Sequence, residues 1–230
     1  KARGMGVVFY PFLMLDIPAG NGLPDPWSEA GDQPAYPWRG RITTALAPGR
    51  TGSPDGGAAA AAEVAAFFGQ AGPGDFALEG DGVRYTGVPE FSYRRMVLHQ
   101  AHLAAVAGVE AFVIGSELRS LTQVRGPGNS FPAVEKLRAL AVDCRAILGP
   151  DVKIGYAADW SEYFGYQPQD GSGDVFFHLD PLWADEAVDF VGIDNYMPLA
   201  DWRDGGDHAD AAWGSVHDLG YLRSNIEGGE

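Results

Sequence analysis

The sequence predicts an α/β protein built on a parallel sheet, arranged either as a barrel or as a doubly wound sheet. Three observations predict it. Near-continuous apolar runs of strand length recur at residues 5–15, 111–114, 152–158 and 188–193, as strands buried on both faces require. From Ala111 onward these runs alternate with helical patterns, the rhythm of βα units. Three of the runs end in polar or aromatic groups: Glu117; Asp159 with Trp160; Asp194 with Asn195 and Tyr196. Right-handed crossovers place such ends on one face, where α/β folds carry their chemistry.

The elements follow in order. Lys1-Ala2-Arg3-Gly4 reads as the basic last turn and C-cap of a helix whose body is absent. Residues 5–15 read as a buried parallel strand whose regular part ends near Tyr10, because Pro11 has no N–H to give the ladder. Asp16 lies at its C-terminal side. Residues 17–90 form a long Pro/Gly/aromatic insertion after this first strand, with Trp27, Tyr36 and Trp38 interleaved. A loop of this kind in a compact domain usually has a function. Within it, residues 39–44 suggest a short strand. Residues 57–70 are Ala-rich and helical, and residues 76–86 read as a hairpin with an Asp-Gly turn region.

Residues 91–107 form the next helix, stopped by Gly108, before the strand that ends in Glu117. Residues 131–148 form the clearest helix, with Val134, Leu137, Ala141, Cys144 and Leu148 on one stripe and Gly149-Pro150 as its stop. Cys144 on that stripe reads as a buried core thiol. A strand at 152–158, a short helix at 181–187, a strand at 188–196 and a helix at about 207–225 complete the chain. Residues 226–230 contain no closing element. The whole therefore reads as a single domain spanning 1–230 and as a piece of a longer polypeptide.

Composition excludes several function classes. A hydrophobic fraction of 46% is globular rather than disordered. The net charge of −15, from 31 acidic against 16 basic residues, argues against nucleic acid, which needs clustered Lys and Arg, and against an anionic membrane surface. It is compatible with a neutral polysaccharide. No apolar run is long enough to span a bilayer. One cysteine excludes an internal disulfide framework and a Cys-rich metal site. No dinucleotide-binding or P-loop glycine pattern follows any strand, so no cofactor is expected. His99 and His102 have a spacing that a metal could use but lack a third ligand nearby. The aspartates at 201, 204, 207 and 210 lack EF-hand spacing. No metal is expected.

Carboxylates with aromatics at strand ends suit glycoside hydrolysis, in which one acid protonates the leaving oxygen while Trp and Tyr stack on sugar rings. Glu117 is the catalytic candidate; its alternatives are a loop acid or the first-turn acid of a following helix. Asp16, Trp38, Asp159, Trp160, Asp194, Asn195 and Tyr196 are the candidate substrate-binding residues. Asp194 reads equally as a structural acid, and Trp160 and Tyr196 as core aromatics.

Phe112-Val-Ile-Gly-Ser-Glu117-Leu, Tyr156-Ala-Ala-Asp-Trp160 and Phe190-Val-Gly-Ile-Asp194-Asn-Tyr196-Met-Pro resemble the retaining clan A glycoside hydrolases. They are closer still to the glycoside-hydrolase-like TIM-barrel domain of gene transfer agent and tailed-phage tail-tip proteins. Residues 10–18 and 36–42 fit that pattern too. The resemblance implies an incomplete (β/α)8 TIM-barrel-like fold with Glu117 matching the clan's acid/base. Ser116 stands where the clan usually has Asn, and no glutamate before Glu230 matches the nucleophile. It implies a baseplate module acting on a bacterial envelope glycan during DNA delivery, made in the cytoplasm and carried at the tail tip of a virion-like particle. Its partners would be that polysaccharide and other tail subunits. The rival readings are a non-catalytic structural module and a carbohydrate-binding adhesin.

Overall fold

The computed structural model describes residues 4–196 and 198–228. The helix end expected at residues 1–3 and the side chains of Glu227 and Glu230 lie outside what is described. The chain falls into two compact units, Lys1–Asp194 and Asn195–Glu230.

In the first unit, β1 (Val8–Phe9) is a two-residue strand in a ladder with a partner far along the chain. The strand expected over residues 5–15 shrinks to these two residues, since the ladder ends before Pro11. Residues 17–57 are irregular apart from a 3-10 turn at Arg39–Arg41, where a strand was expected. Gly40 causes that difference: the Trp38 ring folds back onto it, and a Cβ there would lie 2.3 Å from the indole. The excursion is pinched at its base by Tyr36 N–H donating to the Ile17 carbonyl at 2.7 Å. Inside it, buried Asp25 accepts from Ser28 Oγ at 2.8 Å and Arg41 Nη2 at 3.0 Å.

Helix α1 (Ala58–Phe68) and the hairpin β2 (Phe76–Glu79) and β3 (Gly82–Tyr85) follow as expected. Gly80 takes φ +61° at the first loop position, the place glycine serves in such hairpins. Helix α2 (Tyr93–Ala107) starts at Ser92, whose Oγ accepts from Arg95 N–H, and stops at left-handed Gly108. Next come β4 (Ala111–Ser116), the single turn α3 (Arg119–Thr122), α4 (Pro132–Leu148), β5 (Lys153–Asp159), α5 (Asp180–Trp183) and β6 (Phe190–Asp194). Cys144 is fully buried on α4, and burial pushes its thiol up.

The four strands β1–β4–β5–β6 form one parallel sheet in that order, as the apolar runs imply. The sheet does not close into a barrel among the described residues. Phe112, Ile114, Ile154, Tyr156 and Ala158 join the core built from α1, α2 and α4. The opposite face carries Val113, Gly155 and Ala157, and its curvature is steep. Tyr10 continues β1, yet its hydroxyl donates to Asp194 Oδ2 on β6 at 2.6 Å. In a flat sheet those strands lie about 14 Å apart, at roughly 4.8 Å per neighbour. That span exceeds the reach of one Tyr and one Asp.

In the second unit, a 3-10 turn at Ala209–Trp213 and α6 (Leu219–Gly228) replace the single helix expected over 207–225. Gly214, left-handed at φ +78°, separates them. Trp202, His208, Trp213 and Tyr221 pack together, with Tyr221 buried and its hydroxyl on Asp210 Oδ2 at 2.8 Å.

Candidate active site

The site begins with a register shift. Val113 pairs with Gly155 but Ser116 with Ala157, so β4 carries one residue more than β5 over this stretch. Such a bulge re-aims side chains. By strict alternation Ser116 would share the helix-facing side with Phe112 and Ile114; instead it shares the concave face with Ala157. Tyr93 Oη donates to the Ile114 carbonyl at 3.0 Å, and Gly115 makes room for it, since a Cβ would lie 2.2 Å from that oxygen.

Glu117 follows with a left-handed backbone, φ +50°, a conformation that costs a non-glycine residue of order 1–2 kcal/mol. It is over-determined by its surroundings. Its N–H donates to the Ala157 carbonyl at 2.9 Å. Its Oε2 accepts from Trp38 Nε1 at 2.6 Å and pairs with Arg39 Nη2 at 2.8 Å. Only 3% of the residue is exposed. Arg39 is itself buried: Nε reaches the Ser116 carbonyl and Oγ at 3.2 and 3.0 Å, and the guanidinium lies 3.7 Å from the Phe12 ring centre. The neighbouring Ser116 hydroxyl favours the ionised form of the Tyr10 phenol, but it is outweighed. Burial and the Asp194 carboxylate push the Tyr10 phenol up. One polar chain therefore runs from Ser116 through Arg39 to Glu117 and Trp38, and the Tyr10–Asp194 pair lies beside its Ser116 end. Beside it, Asp16, Tyr36, Trp38 and Arg39 line a groove of about 460 Å³.

The candidate residues of the first unit divide between two arrangements. Trp38, 40% exposed, meets Glu117 directly, and Asp194 lies beside the chain on Tyr10. Asp16 is exposed on the groove wall. Asp159 is buried and turned to its own loop, where Oδ1 accepts from Ser161 N–H at 2.9 Å and from the Ser161 hydroxyl. Trp160 is 37% exposed, and its N–H holds the Asp194 carbonyl at 3.1 Å. Asn195 and Tyr196 open the second unit.

Sequence reasoning missed Arg39, Tyr10 and Glu162. Glu162 is fully buried, accepting from Tyr156 Oη at 2.9 Å, Thr122 Oγ1 at 2.7 Å and Asp159 N–H at 3.1 Å. Burial outweighs those donors and pushes its carboxyl up to about 7. The signal for it was present: Asp159-Trp160-Ser161-Glu162 has the spacing of a capping box, in which the later acid reaches back to the first N–H. Buried His178 stands next to Thr122, with Nε2 3.3 Å from Oγ1, and burial pushes it down to about 4. His99 and His102 pack against Phe76. No group of three metal-ligating side chains occurs among the described residues, and no described helix is long and apolar enough to cross a membrane.

A family model, the GTA TIM-barrel-like domain, matches residues 91–230, more than half of the chain. The chain belongs to that gene transfer agent family. No curated protein and no solved structure matches it. The match takes in Glu117 and the strand ends of β5 and β6, and it begins after Asp16, Trp38 and Arg39. The groove beside Glu117 is thus walled by residues ahead of the span that marks the GTA TIM-barrel-like domain.

Proposed function

We propose that this GTA TIM-barrel-like chain is the glycoside-hydrolase-like module of a phage-like tail baseplate, working on a glycan of the bacterial envelope during DNA delivery. The observation that carries the reading is Glu117: a buried carboxylate at the C-terminal end of a parallel strand, held in a left-handed backbone beside an aromatic-walled groove. Backbone strain that the surroundings enforce is characteristic of functional positions. In the mechanism, Glu117 gives a proton to the glycosidic oxygen as that oxygen's bond to the anomeric carbon breaks, and its carboxylate then takes a proton from the water whose oxygen bonds to that carbon. Trp38, with its ring partly exposed, serves as the sugar platform at the groove. The tail tip of a virion-like particle is where such a module would act, with other tail subunits as neighbours.

A second reading, a non-catalytic baseplate building block, is favoured by one feature. Glu117 Oε2 already meets both Trp38 and Arg39, so the acid doubles as a lock between the long loop and the sheet. The test is turnover of isolated envelope glycans by wild type and Glu117→Gln, read per folded molecule with thermal melts alongside. The change leaves buried Arg39 without its counter-charge, so a stability loss of about 3 kcal/mol is expected in either case. The catalytic reading expects turnover to fall at least ~100-fold. Equal turnover at a temperature where both proteins are folded rejects it, and a wild type without turnover moves the assignment to the building block.

A further inference from the structure

The loops after β4 and β5 enclose a second cavity, of about 510 Å³, two residues along the chain from Glu117 at Arg119. Trp27, Phe164 and Tyr166 supply aromatic rings to it, and Gln123 and Gln167 supply amides. Phe164 is 52% exposed and Trp27 37%, so ring surface is available. Two arginines line the cavity. Arg125 is saturated, with Nε and Nη2 on Asp55 at 3.0 and 2.8 Å and Nη1 on Asp170 at 2.7 Å. Arg119 is not. Its Nε reaches the Ser161 carbonyl at 3.4 Å, and among the described residues it meets no carboxylate. Acids outnumber bases 31 to 16 in this chain, and other arginines of the unit are paired, as in Arg41–Asp25, Arg94–Asp143 and Arg145–Asp189.

We propose that this cavity is a subsite for a carboxylate-bearing sugar unit, its ring against Phe164 and Trp27 and its carboxylate on the Arg119 fork. The inference rests on the glycan reading above and narrows the substrate class to an acidic glycan. Each part of the wall has a matching group on such a ligand. The apolar ring faces suit the C–H face of a pyranose, and the amides suit its hydroxyls. A planar guanidinium meets a planar carboxylate through two parallel N–H donors. The charged side chains of the lining, Asp55, Asp170, Arg119 and Arg125, sum to zero, and both aspartates sit on Arg125, which leaves Arg119 as the cation that meets no carboxylate among the described residues. That matches one carboxylate per sugar and disfavours a densely charged polyanion on a chain of net charge −15.

The experiment is calorimetric titration of the intact protein with a glucuronic-acid-containing disaccharide and with the neutral glucose disaccharide of the same linkage, with tryptophan fluorescence as a second readout. Wild type, Arg119→Gln and Phe164→Ala are compared, each checked by thermal melt. The acidic disaccharide should bind more tightly than the neutral one, and less tightly as salt rises. Arg119→Gln should weaken the acidic ligand ~10-fold or more and leave the neutral one unchanged, and Phe164→Ala should weaken both. Equal binding of the two sugars, or indifference of the acidic one to Arg119→Gln, overturns the subsite and leaves the glycan reading standing. Absence of binding by either sugar overturns both.

Discussion

Glu162 and His178 are two buried titratable groups joined through Thr122, and burial moves them in opposite directions. The Glu162 carboxyl rises from 4.5 to about 7, so between those values the folded state holds a proton that the unfolded chain has released. Its contribution to stability is complete below pH 4.5 and is lost as pH rises through 7. His178 falls from 6.5 to about 4, so its contribution is complete above pH 6.5 and is lost as pH falls through 4. Between about pH 4.5 and 6.5 the two slopes oppose each other, and wild-type stability should be flat in pH as far as this pair is concerned. Substitution separates them. Relative to wild type, Glu162→Gln should cost most near pH 4.5, and that cost should shrink by about 3 kcal/mol by pH 8. His178→Gln should show the mirror trend, costing most above pH 6.5 and less toward pH 4. Denaturant melts at five or six pH values measure both, and a pH-independent cost of Glu162→Gln would reject the buried, partly protonated acid.

At the scale of elements, the bulge in β4 and the turn at Arg39–Arg41 are each built around a glycine pressed by an aromatic side chain. Gly115→Ala should be costly, because its Cβ would meet the Tyr93 hydroxyl at 2.2 Å and Tyr93 is itself in the core. Overpacking of this kind costs roughly 1–3 kcal/mol. Tyr93→Phe removes the obstructing oxygen. The double variant Tyr93→Phe/Gly115→Ala should therefore be more stable than the sum of the two single losses, a coupling that a double-mutant cycle reads directly; additive losses would show that the hydroxyl is not the obstacle. These two glycines also mark what the sequence could and could not disclose. Apolar runs and glycine stops were enough to place α2, α4, β4, β5 and β6, because burial and chain termination are written locally. The bulge was not legible, since it exists only as a register between two strands. The Trp38–Glu117 bond joins positions 79 apart, and no periodicity reports such a pairing. The sequence therefore shows the Trp38 ring but not that its N–H binds the acid, and it suggests a strand at Arg39 where the chain forms a 3-10 turn.

For the molecule as a whole, the Tyr10–Asp194 bond joins the first and last strands of the parallel sheet across its concave face. The sheet's outer strands are otherwise lightly held. Strand β1 contributes two residues of ladder, and β6 leaves Val191 and Ile193 about half exposed. Curvature is what brings Asp194 within reach of the chain of groups that ends at Glu117, so the geometry of the site and the shape of the sheet depend on the same contact. Tyr10→Phe keeps the ring and removes only the hydroxyl. It leaves the Asp194 carboxylate without one partner, at a cost of about 1–3 kcal/mol. If the contact holds the curvature, the loss should not be evenly distributed. Amide exchange should accelerate in β1 and β6 ahead of β4 and β5, whose ladders and helix contacts are untouched. Trp38 fluorescence should shift as well, because Ser116 and Arg39 carry the change to its indole. Hydrogen exchange read by mass spectrometry on wild type and Tyr10→Phe decides the matter. Uniform acceleration across the four strands would mean that the bond adds stability without shaping the sheet, and unchanged exchange at β1 and β6 would remove Tyr10 from the architecture of the site.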